Sequence, residues 1–241
     1  MQFNIISIFP EYFNGPLSCG TLRIAQEKGA IKINILNPRD FTIDGIVDDY
    51  QFGGGSGMVL KLEPILKAIN SIKKEKSLII NFSPTGKVLT QNLVKKLAEE
   101  NDIILICGRY KGIDERLGRL ISLEEISVGD YVLSGGESAS IVLMEAITRL
   151  LPGVLGHIDS AKEDSLQNGI LSAPVYTRPA SFKNYVVPEI LLSGNHQAVA
   201  RWRRKMAIER TLKKRPELLS DVVFSRDDLE ILLEVLNDEK S

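Results

Sequence analysis

Short apolar runs alternate with longer stretches of helical periodicity through most of the chain. The apolar runs, rich in isoleucine, valine and phenylalanine, cover residues 3–9, 31–36, 78–82, 103–107 and 125–128. Between and after them, segments such as 63–74, 91–100 and 138–150 repeat apolar residues at the spacing of a helix. Strands that alternate with helices in this way predict an α/β fold with a mostly parallel sheet.

The chain changes character after the helix predicted at 138–150. Residues 156–169 are mostly polar and follow no period, and we interpret 158–169 as a flexible interdomain linker. Three prolines follow, then a helix over 196–214 and another after Ser225, where Ser225 and Asp228 form a capping-box pattern. We therefore expect an α/β domain over 1–157 and a small all-helical domain over 170–241.

Composition places the chain among ordinary globular proteins. Its 241 residues are 44% hydrophobic and 25% charged, which suffices for one substantial core and a small second unit. Two cysteines, Cys19 and Cys107, without paired spacing argue for a reducing compartment and against a disulfide or zinc framework. The start lacks a basic leader and no apolar run has the length of a membrane span, so we expect a cytoplasmic protein without membrane contact.

The net charge of −1 conceals a local excess of positive charge. Residues 201–215 contain eight lysines and arginines and one acid, Glu209, and lie on the helix predicted over 196–214. On that helix, Val199, Trp202 and Met206 share an apolar stripe that we expect to pack. A basic helix of this kind predicts contact with nucleic-acid phosphates.

Three loops rich in glycine and serine follow three successive predicted strands. They are Ser83-Pro84-Thr85-Gly86, the stretch 107–116 that begins Cys107-Gly108-Arg109-Tyr110, and the stretch 128–137 that ends Gly135-Gly136-Glu137. The stretch 107–116 is neither a G-x-G-x-x-G dinucleotide fingerprint nor a P-loop. If the three strands are neighbours in the sheet, the loops converge on one ligand pocket at its carboxyl edge.

Other candidate features have ordinary explanations from the residues alone. The glycine cluster at 51–58 is interpreted as a flexible surface loop, with a lid or substrate-contact loop as the alternative. Arg149 ends a predicted helix, where its positive charge interacts favourably with the negative end of the helix dipole. Asp164 lies in the polar linker, where an aspartate is usually solvated.

Longer motifs resemble a known family, the bacterial tRNA (guanine(37)-N1)-methyltransferases of the knotted SPOUT class. The matching stretches are Ile5-Ile6-Ser7-Ile8-Phe9-Pro10, the three glycine loops, Tyr176-Thr177-Arg178-Pro179, Ser193-Gly194-Asn195-His196 and Arg201-Trp202-Arg203. The resemblance covers nearly the whole chain. It implies that the loops form a deep trefoil knot that holds S-adenosylmethionine. The residues that it assigns to this donor are Ser83, Pro84, Gly86, Gly108, Arg109, Tyr110, Val128, Gly129, Tyr131, Leu133, Gly135 and Gly136.

The resemblance also implies the chemistry. Asp164 matches the family's catalytic aspartate, which removes the proton from guanine N1, and Arg149 matches the arginine that stabilises charge on O6. It implies a homodimer in which Asp164 acts on a donor held by the other protomer, and a tRNA anticodon stem-loop as substrate. There are two alternatives: a non-catalytic RNA-binding protein with this fold, and a SPOUT methyltransferase that acts on ribosomal RNA.

Four positions depart from the family pattern. Where this chain has Lys111, family members commonly have Glu. Where it has Phe52, Ser56 and Ala139, they commonly have Tyr, Pro and Pro, respectively. We expect Lys111 to weaken donor binding unless its ammonium turns to the methionine carboxylate or to an acid such as Asp114 or Glu137. A magnesium requirement is associated with the family. Because this chain lacks a carboxylate at position 111, use of Mg²⁺ and its absence both remain open here. We name no metal ligand.

Overall fold

A computed structural model describes residues 1–156 and 164–238 of the protein. The chain divides into two compact units, 1–156 and 157–241. The first half of the predicted linker, residues 158–163, lies outside the described residues. Each unit is described by itself.

The first unit is built on a parallel sheet of five strands. The strands are β1 (Gln2–Ile6), β2 (Lys32–Leu36), β5 (Leu78–Val88), β6 (Asp102–Ile106) and β7 (Glu124–Ser127), in the order β2-β1-β6-β5-β7. Every pairing in the sheet is parallel, which confirms the α/β prediction. Strand β1 is shorter than predicted because Pro10 begins a turn of 3₁₀ helix, and β5 is longer.

Helices cover both faces of this sheet. They are α1 (Asn14–Leu17), α2 (Gly20–Glu27), α3 (Leu62–Ile72), α4 (Gln91–Leu97), α5 (Leu117–Leu120) and α6 (Glu137–Thr148). Side chains alternate along β6, so Ile103 and Leu105 join the core under α2, α4 and α6, whereas Ile104 and Ile106 join the core under α3. Burial on both faces explains why β6 is apolar throughout.

The glycine cluster at 51–58 belongs to a hairpin that the sequence analysis did not predict. Strands β3 (Asp48–Tyr50) and β4 (Met58–Leu60) pair antiparallel, with residues 51–57 as their connection. The backbone of β4 continues into the loop after β6: Leu60 N–H donates to Gly112 O at 3.0 Å, and Lys111 N–H donates to Met58 O at 3.0 Å. The hairpin is thereby attached to one of the three glycine loops.

The second unit contains two long helices and a small hairpin. Helix α7 (His196–Lys214) and helix α8 (Arg226–Asp238) pack around Ile170, Ala207, Ile208, Ile231 and Val235. The predicted capping box is confirmed, since Asp228 N–H donates to Ser225 Oγ and Ser225 N–H to Asp228 Oδ2, both at 3.1 Å.

The second unit is not all helical. Strands β8 (Ser181–Phe182) and β9 (Tyr185–Val186) form a two-stranded antiparallel hairpin. Its turn residues, Lys183 and Asn184, both have positive φ, as a tight hairpin turn requires.

Candidate functional site

A cavity of about 590 Å³ lies at the carboxyl ends of β5, β6 and β7. Strands β6, β5 and β7 are neighbours in the sheet, which is the condition under which the three glycine loops meet. The lining residues are 81–85 within β5, 108–113 and 115 after β6, and 125–129, 131–136 and 139 from β7 to α6. Its volume is in the ordinary range of small-molecule sites.

The chain leaves the sheet within β5 and then returns to it. Phe82 and Lys87 both pair with Ile126 of β7, so the four residues between them are looped out. The chain can close this loop because position 86 is glycine: a Cβ added there would lie 2.4 Å from the carbonyl carbon of Glu125. Within the loop, Thr85 Oγ1 donates to Glu125 Oε2 at 2.9 Å. The loop is thereby held against β7.

A buried ion pair joins the loops after β6 and β7. Arg109 Nε donates to Glu137 Oε2 at 2.9 Å, and Ser7 Oγ donates to Glu137 Oε1 at 2.7 Å. The Glu137 side chain is 1% exposed and that of Arg109 16%. The Arg109 guanidinium also lies 4.6 Å from the centre of the Phe9 ring. These contacts fix one wall of the cavity.

The same two loops are joined through their backbones. Gly136 N–H donates to Gly108 O at 3.0 Å, and Arg109 and Gly135 form an isolated antiparallel bridge. A Cβ added at Gly136 would lie 2.8 Å from Cys107 Cα, so a larger residue would push the loops apart. Glycine is therefore required at position 136 for this close approach.

Tyr110 has a backbone conformation that non-glycine residues seldom adopt, with φ of 61°. Partial burial, and then the negative charge of Asp48, raise the pKa of Tyr110. Asp48 opens β3, so this contact is a second attachment of the β3–β4 hairpin to the cavity loop. Backbone strain of this kind clusters at functional sites.

Lys111 lines the cavity, and both acids that we considered for it are paired elsewhere. Glu137 is bound by Arg109, and Asp114 is bound by Arg116, whose hydrogen bonds lower the pKa of Asp114 to about 2. Within the described ranges, no carboxylate forms an ion pair with Lys111. The aliphatic part of its side chain lies beside Gly57, where an added Cβ would be 3.1 Å from Lys111 Cγ.

Asn81 of β5 brings an amide into the cavity wall. Its Oδ1 is buried and, among the residues that the structure describes, has no hydrogen-bond partner. Its Nδ2 donates to Glu125 Oε1 at 3.5 Å. A buried acceptor without a donor costs about 1–3 kcal/mol, so this oxygen is an unusual feature of a strand that is otherwise apolar up to this point.

The structure brings together most of the residues that the resemblance assigns to the methyl donor. Eleven of the twelve line this one cavity. Gly86 does not line it and instead packs against the backbone of β7, where it allows the loop to close. Lining residues that the sequence did not assign to the methyl donor include Asn81, Thr85 and Glu125. The available signal was a polar residue at the end of an apolar strand.

The two expected catalytic residues lie outside this lining. Arg149 is exposed and caps the C-terminal end of α6, about 18 Å from Gly136 at the other end of this 12-residue helix. Asp164 is half-buried in the second unit, and its carbonyl accepts a hydrogen bond from Gln167 N–H at 3.3 Å. Within one chain, therefore, α6 separates Arg149 from the cavity.

The basic residues of α7 are largely paired within their own unit. Arg201 and Lys205 contact Glu234, Arg204 contacts Asp228, and both acids belong to α8. Lys213 pairs with Glu209 one turn earlier, and Arg215 pairs with Glu217. The most buried residues of the helix are Ala207, Ile208 and Thr211, whereas the predicted stripe of Val199, Trp202 and Met206 is half-buried. The basic surface is therefore smaller than the count of charges indicates.

No helix within the described ranges is both long and apolar enough to cross a membrane. No group of three His, Cys, Asp or Glu side chains there is arranged to hold a metal ion.

Comparison with known proteins identifies the family. A family model described as tRNA (Guanine-1)-methyltransferase TrmD matches residues 1–221. A tRNA (guanine-N(1)-)-methyltransferase of Dictyoglomus turgidum is 51% identical over 237 residues, which cover 98% of this chain and 96% of that protein. Proteins of the same name from Geobacter metallireducens and Carboxydothermus hydrogenoformans are 46% identical over 239 residues and 49% identical over 221 residues. The first of these two alignments covers 98% of this chain and 98% of the relative, and the second covers 91% of this chain and 87% of the relative. The chain therefore belongs to the tRNA (guanine-1)-methyltransferase TrmD family.

Proposed function

We propose that this protein transfers a methyl group from S-adenosylmethionine to N1 of guanosine 37 of tRNA, the base on the 3′ side of the anticodon. The observation that carries the proposal is the cavity at the carboxyl ends of β5, β6 and β7. Eleven of the twelve residues that we expected to hold the methyl donor meet there. We also propose that these loops form the trefoil knot of the family and that the protein works in the cytoplasm.

The residues of the cavity fit this donor. Three loops present backbone N–H and C=O groups in a space of about 590 Å³, which suits a neutral heterocycle such as adenine. The Arg109–Glu137 pair and the Gly108–Gly136 hydrogen bond hold the loops in place before any ligand arrives, and such preorganisation favours tight binding. When bound, S-adenosylmethionine supplies an electrophilic methyl group on a sulfonium.

The remaining chemistry concerns one proton and one developing charge. Neutral guanine carries a proton on N1, so a base is needed there, and we assign this role to the Asp164 carboxylate. Loss of the proton shifts negative charge to O6, and we assign its stabilisation to the Arg149 guanidinium. Because the transfer is a direct displacement, holding the base and the donor in line supplies much of the rate.

The position of Arg149 supports a site shared between two protomers. Helix α6 places Arg149 about 18 Å from the cavity wall at Gly136, and we propose that a second chain brings this residue to a donor in the cavity. We therefore propose a homodimer in which Asp164 also serves the donor bound by the partner. Symmetric dimers are the commonest assembly of soluble proteins.

The second unit offers a surface for the tRNA anticodon stem-loop. Arg203 is exposed on α7 and forms no ion pair with a described residue. The β8–β9 hairpin exposes Phe182 and Tyr185, and the Lys183 ammonium lies 5.6 Å from the centre of the Phe182 ring. Cations hold phosphates, and exposed aromatic rings stack on unpaired bases, which is how RNA loops are usually recognised.

Transfer to defined transcripts tests the reaction and its position. With labelled S-adenosylmethionine, a tRNA transcript with guanosine at position 37 should gain one methyl group, recovered as 1-methylguanosine after digestion. The matched transcript with adenosine at position 37 should gain none. Equal labelling of both transcripts, or a label on another atom of guanine, would contradict the proposal.

Mixing two inactive variants tests the shared site. Gly108→Val fills the cavity, since an added Cβ has ordinary contact distances of 3.6 Å and more there, whereas Asp164→Ala removes the base. If each site combines residues of both protomers, co-refolded heterodimers should regain activity that neither variant has alone. A mixture as inactive as its components would show that each chain acts by itself.

Substitution of Lys111 tests whether the residue at this position affects magnesium dependence. If a carboxylate at this position supports magnesium dependence, Lys111→Glu should keep transfer activity and make it more sensitive to a chelator. Identical chelator titrations of both forms would show that position 111 has no part in metal use.

A further inference from the structure

Asn81 lines the cavity and carries a buried oxygen, Oδ1, that has no hydrogen-bond partner among the described residues. It lies on β5 after Leu78, Ile79 and Ile80, two residues before the loop that leaves the sheet. Among buried side-chain nitrogen and oxygen atoms of the described residues, two have no hydrogen bond: Asn81 Oδ1 and Thr148 Oγ1. Thr148 is not a lining residue of the cavity, whereas Asn81 is.

The surroundings fix which end of the amide faces inward. Asn81 Nδ2 donates to Glu125 Oε1, so the opposite orientation would bring the amide oxygen against a carboxylate oxygen. The oxygen lies 3.9 Å from the position that a Gly108 Cβ would occupy, next to the loop after β6.

Polar side chains of the cavity wall have other partners. Thr85 Oγ1 is bonded to Ser83 and Glu125, and Arg109 Nε donates to Glu137. Ile113 Cγ1 and Cδ1 lie beside the same Gly108 position, at 3.6 and 3.8 Å from it. Among the described residues, no N–H or O–H group donates a hydrogen bond to the Asn81 oxygen.

We infer that Asn81 is a binding residue for the methyl donor and that its Oδ1 accepts a hydrogen bond from an N–H of that molecule. This inference rests on the proposed function. S-Adenosylmethionine carries two such donors, the amino group of adenine and the ammonium of its methionine part. Both offer the same hydrogen-bond chemistry, and two ligands that differ in the ammonium distinguish them.

Calorimetric titration tests the inference without any methyl transfer. S-Adenosylhomocysteine carries both N–H donors, and methylthioadenosine keeps the adenine and lacks the ammonium. Asn81→Leu should bind S-adenosylhomocysteine about tenfold more weakly than the unsubstituted protein, a difference of about 1.4 kcal/mol. An equal loss for methylthioadenosine assigns the bond to adenine, whereas a loss confined to S-adenosylhomocysteine assigns it to the ammonium.

The stability of the ligand-free protein separates binding from a structural role. Asn81→Leu removes an unpaired buried oxygen, so its urea midpoint without ligand should equal or exceed that of the unsubstituted protein. Asn4→Leu is the matched control: this strand asparagine is fully partnered, with Nδ2 donating to Asp102 at 3.2 Å, and lies outside the cavity. It should lower the midpoint and leave both affinities unchanged.

Two results would overturn the inference. If the unsubstituted protein binds both ligands and Asn81→Leu binds them equally well, Asn81 takes no part in binding, although the proposed function stands. A second variant, Asn81→Ala, should weaken binding in the same way and guards against a local effect of the leucine side chain. If the unsubstituted protein binds neither ligand, the proposed function itself fails.

Discussion

The Arg109–Glu137 pair and the ion pairs between α7 and α8 use the same chemistry for different purposes. Glu137 is 1% exposed and holds together two loops of the cavity, with Ser7 as a third partner. Glu234 is 41% exposed and its partner Arg201 53%, and the pair lies on the surface of two helices that pack around their own apolar core. Burial, and not the presence of an ion pair, decides which contact the structure depends on.

The comparison also changes how the charge of α7 is understood. A cation whose partner lies in the same unit has less positive charge to offer an RNA phosphate. Arg201, Arg204 and Lys205 are of this kind, whereas Arg203 is not paired with any described acid. If the helix binds RNA as proposed, its contributions to stability and to RNA binding come from different residues.

Glu137→Ala should have the largest effect. Removal of one partner leaves Arg109 as an uncompensated, mostly buried charge, which costs about 3–5 kcal/mol of unfolding free energy. Affinity for S-adenosylhomocysteine should fall as well, because the ion pair that joins the two cavity loops is lost. Urea unfolding followed by circular dichroism, together with calorimetry, measures both. Glu63→Ala, which breaks the exposed pair with Lys67, should leave both nearly unchanged, and equal effects of the two variants would contradict the comparison.

Asp228→Asn should have an intermediate effect that depends on pH. The hydrogen bonds from Arg204 lower the pKa of Asp228 to about 2, below its value of about 3.9 in the unfolded chain. The ionised pair therefore stabilises the second unit by about 2 kcal/mol above about pH 4, and this contribution is lost as the pH falls through 2.

Fluorescence of Trp202, the one tryptophan of the chain, reports the unfolding of this unit. Asp228→Asn and the unsubstituted protein should differ at pH 7 and converge near pH 2. Asp227→Asn changes the neighbouring exposed carboxylate and should leave stability unchanged at both values. A difference for Asp228→Asn that persisted at pH 2 would show that the capping box, and not the ion pair, carries the effect.

Arg203→Ala should have the smallest effect, and it should appear in binding. If Arg203 contacts a phosphate, its removal should weaken tRNA binding a few-fold and reduce the slope of log affinity against log salt by about one. Arg201→Ala should leave that slope unchanged because Arg201 is paired with Glu234. Filter binding over a salt series distinguishes the two, and a larger change of slope for Arg201→Ala would reverse the assignment.

The sequence predicts the sheet and its cavity loops better than the contacts that hold them. An apolar run that ends in glycines identifies β6 and the loop after it, because a strand buried on both faces must be apolar. The Arg109–Glu137–Ser7 cluster joins residues 28 and 130 positions apart, and no local pattern connects them. The two hairpins were missed because their strands are two or three residues long.

The candidate catalytic residues show the limit of local reasoning most clearly. By themselves, Arg149 and Asp164 are a helix-terminal arginine and a polar-segment aspartate, and only the resemblance gave them roles. Asn81 is the opposite case: neither the resemblance nor the pattern selected it, and its unpaired oxygen emerged from the packing of β5 against Gly108 and Glu125. Unpaired atoms depend on distances in three dimensions, which a sequence does not contain.

The most direct test of the account is the single-turnover rate of N1 methylation by Asp164→Asn on a tRNA transcript with guanosine at position 37. Loss of a general base lowers a rate by about 10²–10⁴-fold. The account predicts a loss of at least about 100-fold, with unchanged affinities for S-adenosylhomocysteine and for tRNA. An unchanged rate would contradict the account, because some other group would then remove the N1 proton.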